Sequence, residues 1–142
     1  KPMADVTTPS TAAIKALKKL NIKKVAVFTP YIKNLNNEVI EFLKKESFSI
    51  TSNSYFDIKN DTDIGKVDPE YLYEVLSQMD LKEADALFVS CTALPVLQII
   101  DRLEKKLNKP VLSSNQALIW DTLENIGRNV SINGFGKLFL KN

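Results

Sequence analysis

Asp85-Ala-Leu-Phe-Val-Ser-Cys-Thr92 is the stretch on which the fold turns. Its apolar run is nearly continuous rather than alternating, the pattern of a strand buried on both faces, and it breaks off into Ser90, Cys91 and Thr92. Upstream lies a helical face of Leu72, Val75, Leu76 and Met79, opened by Pro69, and downstream a helix is expected from about Pro95 to Leu107. A strand with helices on both sides in sequence cannot sit in a hairpin. Connections of that length join parallel strands.

The same alternation extends in both directions. Ala12, Ala13, Ala16, Leu17 and Leu20 form a helical stripe after Thr8-Pro9, which reads as an N-cap and a first-turn proline. Lys24-Val-Ala-Val-Phe28 is a short strand ended by Thr29-Pro30, and Val39, Ile40 and Leu43 mark a helix reaching about Lys45. Phe48 to Tyr55 reads as a strand and Asp57 to Asp68 as a long polar loop. Lys109-Pro-Val-Leu-Ser113 is the last strand, and Ser114 or Asn115 is expected to cap a helix that stops at Gly127. The order predicts an α/β, doubly wound, mostly parallel sheet. In such a sheet ligands collect at the carboxyl ends of strands, here Thr29-Pro30-Tyr31, the 57–68 loop, Ser90-Cys91-Thr92 and Ser113-Ser114-Asn115.

Composition narrows the chemistry. The 142 residues, 44% hydrophobic and 25% charged, suit one globular domain with a real core. There is no histidine, which removes Ser-His-Asp and Cys-His catalysis and imidazole-ligated zinc. One cysteine allows no internal disulfide, and with no long apolar run it leads us to expect a reducing, cytoplasmic setting. Nineteen basic against 17 acidic residues give a net charge of only +2, which argues for neither nucleic acid nor a membrane surface as partner. No G-x-G-x-x-G or P-loop is present, and the paired lysines read as solvated surface.

Cys91, at a strand-to-helix transition, has either of two roles. It is a small buried hydrophobe, or a nucleophile or base favoured by turn amides and the positive end of the next helix, with Ser90 and Thr92 adding hydroxyls. Tyr31 either donates its phenol to a substrate carboxylate or packs as an aromatic lid. Asn60 and Asp61 lie among acidic residues whose spacing does not fit an EF-hand. Ser113, Ser114 and Asn115 either bind an anion or cap a helix, and Trp120 belongs to a core or interface stripe.

Val89-Ser-Cys-Thr-Ala-Leu94, Leu103-Glu104 and Lys109-Pro-Val-Leu-Ser-Ser-Asn-Gln-Ala-Leu-Ile-Trp120 resemble the aspartate/glutamate racemase superfamily, in its branch of maleate isomerases, arylmalonate decarboxylases and ectoine-utilisation racemase-like proteins. Thr7 to Ala12, Val25 to Tyr31 and Ile64 to Pro69 carry the resemblance further, so that it covers Thr7 to Gly127. It implies cofactor-independent racemisation, isomerisation or decarboxylation of a small carboxylate or dicarboxylate. Cys91 matches the cysteine of the family's second, flavodoxin-like lobe, and Tyr31 matches a tyrosine that hydrogen-bonds a substrate carboxylate. Thr92 would add its amide, Thr29 and Ser90 would border the substrate, and an active-site asparagine falls at Asn60 or Asp61. Cys91-Thr-Ala-Leu94 leans towards the ectoine-type or racemase-like members.

By the same resemblance, residues 1–114 would form the second lobe and 115–142 a helix and tail returning to a first lobe of the same protein. A partial or shortened chain is then expected, partnered by that lobe or by another copy, with an exposed apolar surface where the partner packs. The competing expectations are a carboxylate-binding or assembly module without turnover, and an unrelated binding protein on the same fold.

Overall fold

The computed structural model describes residues 5–141. Its elements run α1 (Pro9–Lys19), β1 (Lys24–Tyr31), α2 (Lys33–Lys45), β2 (Ser49–Ile58), α3 (Asp61–Ile64), α4 (Pro69–Ser77), β3 (Ala86–Val89), α5 (Ile100–Leu107), β4 (Val111–Ser113) and α6 (Ser114–Asn125). The strands form a four-stranded, all-parallel sheet in the order β2-β1-β3-β4. Thr8 caps α1, its side chain accepting the Thr11 N–H at 3.1 Å, and Pro9 follows where its missing N–H costs nothing.

Two cores form because successive residues of the central strands point to opposite faces. Ala26, Phe28, Leu87 and Val89 pack with Leu72, Leu76, Ile100 and Leu103 of α4 and α5. Val25, Val27, Ala86 and Phe88 pack with Leu17, Leu43 and Ala117 of α1, α2 and α6. An apolar run without alternation is what a sheet covered on both faces demands.

Several local features differ from the sequence reading. β1 continues past Thr29-Pro30 to Tyr31, because a register shift between Thr29 and Tyr31 lets the strand pass the proline and pair Tyr31 with Ile58. β2 likewise runs on to Ile58, and the 57–68 loop contains the short helix α3. Ser113, not Ser114 or Asn115, caps α6. Its Oγ accepts the Gln116 N–H at 3.2 Å while Gln116 Oε1 accepts the Ser113 N–H at 3.3 Å, a reciprocal capping box. Trp120 is half-buried against the α1–α2–α6 core.

The tail beyond α6 folds back on the lobe. Gln116 Nε2 donates to the Phe135 carbonyl at 2.6 Å, and the buried Glu104 accepts the Val111 N–H at 2.9 Å and the Lys137 N–H at 2.8 Å. A single turn, Lys137–Phe139, then buries Leu138 and Phe139. Gly136 makes the clasp possible. It holds φ at +83°, and a Cβ there would stand 2.7 Å from Ile100 Cγ2 and 3.0 Å from Gln116 Nε2.

Gly136→Ala is expected to destabilise the lobe by about 1–3 kcal/mol through overpacking, beyond the strain of a positive φ. Gly134→Ala is the control, since Gly134 has φ +88° but open space around its Cβ position. Urea unfolding followed by Trp120 fluorescence checks the difference. Equal midpoints for the two variants would remove the packing explanation.

Candidate active site

β1 and β3 lie side by side at the centre of the sheet, one pairing outward to β2 and the other to β4. Strand order reverses between them, and at such a point the carboxyl ends open a crevice. The last rung joining them is the Ser90 N–H to Phe28 carbonyl bond at 2.9 Å. Past it, Tyr31 ends β1, and Ser90, Cys91 and Thr92 leave β3.

These residues border a cavity of about 490 Å³. Tyr31, Asp61, Ser90, Cys91 and Thr92 line it, joined by Ser114 from the start of α6. Leu35, Val39 and Phe42 of α2, with Phe88, make an apolar wall, and Glu38 stands beside them. The remaining expected site residues lie elsewhere. Thr29 is fully buried and donates to Asn36 Oδ1 at 2.8 Å, in a network that Asn36 extends to Asn53 Oδ1 at 2.8 Å and that ties α2 to the sheet. Asn60 is exposed, with its Nδ2 turned to Asp63 Oδ2 at 3.4 Å, so that Asp61 is the member of that pair on the cavity.

Cys91 is a free thiol and only 4% exposed. The helix after it does not begin at Pro95. Residues 90–96 stay irregular until a single turn at Leu97–Ile99 leads into α5. The sulfur therefore meets the turn and not a helix end: the Ala93 N–H donates to Sγ at 3.2 Å. Three helices border the cavity with their first residues, α1 with Pro9, α3 with Asp61 and α6, entering from β4, with Ser114. Ser114 stands in the strand-end set read from the sequence, but Leu35, Val39 and Phe42 of the α2 wall do not, because nothing local marks them. They arrive through the topology.

Tyr31 is half-buried, and its phenol is held well above the ordinary tyrosine value by burial first, then by its contact with Cys91 and by the charge of Asp61. Such a phenol remains a neutral hydrogen-bond donor at any physiological pH. Beside the thiol it can donate to a carboxylate oxygen while the sulfur faces the adjacent carbon. Among the described residues no group of three or more potential ligands could hold a metal ion, and no lysine or arginine lines the cavity. The hydrogen-bond donors that these residues present to the cavity are neutral.

Residues 3–139 match the arylmalonate decarboxylase family. The chain belongs to that family. It is 29% identical over 136 residues to the maleate isomerase of Geobacillus stearothermophilus, covering 95% of this chain and 54% of the relative. With the arylmalonate decarboxylase of Bordetella bronchiseptica it shares 31% identity over 136 residues, 94% of this chain and 57% of the other. Among solved structures, a cysteine-to-serine variant of Nocardia farcinica maleate cis-trans isomerase carrying a covalently bound succinylcysteine intermediate superposes with a TM-score of 0.90 at 27% identity, over 94% of this chain and 55% of that one. The chain thus spans about half the length of the curated relatives it matches. Among the described residues no helix is long and apolar enough to cross a membrane.

Because the folded phenol titrates above the unfolded one, its effect on stability begins only as pH rises past the unfolded value near 10, and stability is then lost with increasing pH. Of the four tyrosines, Tyr31 is expected to ionise last. Phenolate absorbance titration of the native protein and of Tyr31→Phe checks this: the variant should lose the most alkaline component. Loss of an ordinary component instead would contradict the burial argument.

Proposed function

We propose that the chain is the cysteine-bearing lobe of a cofactor-independent isomerase, racemase or decarboxylase acting on a small carboxylate. The observation that carries this is the pairing of Cys91 and Tyr31 at one crevice, on the two strands between which the sheet reverses order. Tyr31, kept protonated, would hold a carboxylate oxygen of the substrate. Cys91 would give a proton to, take one from, or bond to the carbon beside it, and Ser90, Thr92 and Ser114 offer hydroxyls to the charge that builds up there.

The chain carries one cysteine, so an exchange on both faces of a carbon needs a second acid or base from elsewhere. A first lobe of the same protein or another copy would supply it. Residues 1–114 would be the lobe that bears Cys91, and 115–142, whose α6 and residues 135–139 pack back on that lobe, would offer the partner their exposed face; residues 1–4 and 142 lie outside the described residues. Exposed Val6, Ile119 and Ile126 suit such a contact. The single thiol also favours a second reading, a carboxylate-binding or assembly module that does not turn over.

The two readings separate in deuterated water. The chain, alone and joined to the first lobe of a maleate isomerase relative, would be incubated with maleate, phenylmalonate, aspartate and glutamate, and proton NMR would follow exchange at the α-carbon and product formation. Turnover is expected in the joined form, with Cys91→Ser lowering it by about 10²-fold or more. Binding without exchange in any form would establish the module instead.

A further inference from the structure

Asn115 lies outside the cavity lining, yet it touches the site through one peptide unit. Its Nδ2 donates to the Thr92 carbonyl at 2.8 Å, and the N–H of the same Thr92–Ala93 peptide donates to Cys91 Sγ at 3.2 Å. All peptides of the described chain are trans, so this unit is a rigid plane whose C=O and N–H point in opposite directions. Fixing one end aims the other.

From this geometry we infer that Asn115 is a positioning residue for Cys91, acting across the Thr92–Ala93 peptide. Two consequences follow from the one contact. The turn after β3 is irregular and lacks a helical ladder to orient its amides, so a partner for the Thr92 carbonyl is what keeps the Ala93 N–H on the sulfur. A carbonyl that accepts a hydrogen bond also polarises its own peptide, making the N–H a stronger donor to a sulfur bearing negative charge. Asn115 is well suited to the task because it does not move independently. It is the second residue of α6, whose start is pinned by the Ser113–Gln116 capping box, and α6 in turn is tied to α1 by the buried Asp121, which accepts from Lys15 Nζ at 2.9 Å. A residue 23 positions along the chain from Thr92 thus aims a donor at the sulfur without approaching it.

The inference concerns Cys91 as a reacting group and so rests on the proposed function, but its test does not depend on turnover. Cys91 is the chain's single cysteine, so the rate of alkylation by iodoacetamide reports on one sulfur, with Cys91→Ser as the blank. Asn115→Ala removes the donor, and Asn115→Asp replaces it by a near-isosteric group that cannot donate. Both are expected to alkylate about three- to tenfold more slowly near neutral pH, with the rate–pH profile displaced to the alkaline side and the maximal rate at high pH retained. Circular dichroism melting identifies the folded variants. An unchanged profile in a folded variant overturns the inference. Loss of the fold in both variants also overturns it, because Asn115 would then hold the lobe together rather than aim one peptide. A displaced profile in a protein that exchanges no substrate proton would leave the inference standing and defeat the catalytic reading alone.

Discussion

The bond from the Ser90 amide to the Phe28 carbonyl is the last point at which the two central strands are held to each other, and the chemistry of the lobe begins where it ends. Up to that rung, β1 and β3 are constrained by pairing and by helices on both faces. Beyond it, β3 leaves the sheet while β1 stays paired to β2 as far as Tyr31, and side chains from both strand ends line a common space. Tyr31 and Cys91 are neighbours for this reason, although they stand 60 positions of α/β winding apart in the chain. The helices bury the strands up to that edge, and α2 and α6 then wall the space beyond it with Leu35, Val39, Phe42 and Ser114.

Much of this was legible from the order of segments. The unbroken apolar run before Ser90 required a doubly covered parallel strand, and parallel strands placed the 29–31 and 90–92 ends on one edge. The sequence did not carry what depends on contacts across the fold. Thr29 follows a strand as convincingly as Tyr31 does, but it points the other way and is consumed by Asn36. Asn60 and Asp61 were equivalent by spacing, and only the turn into α3 sends one of them to the cavity. Pro95 reads well as a first-turn proline, but α5 begins later and leaves Cys91 in a turn.

The electrostatics of the cavity follow from the same economy. Among the described residues no cationic side chain lines its walls, and with Glu38 and Asp61 on them these residues offer an anion no simple Coulombic attraction. They offer directed hydrogen bonds from groups that stay neutral, of which Tyr31 is the clearest. Such a site discriminates by geometry, and its donors must be held in place before the ligand arrives.

The clasp formed by Glu104, Gln116 and Gly136 bears on the order in which the chain assembles. The tail has no sheet or long helix of its own, and its receptor surface is made jointly by α5, the first residue of β4 and α6. It cannot find its place until those elements are already packed. Docking of residues 135–139 is therefore expected to follow the packing of the sheet, and their amides to open as a local unit while the sheet behind them stays intact. Hydrogen exchange in the tail would then measure a local equilibrium distinct from global unfolding, and the state it reports is a lobe whose crevice is still fully formed.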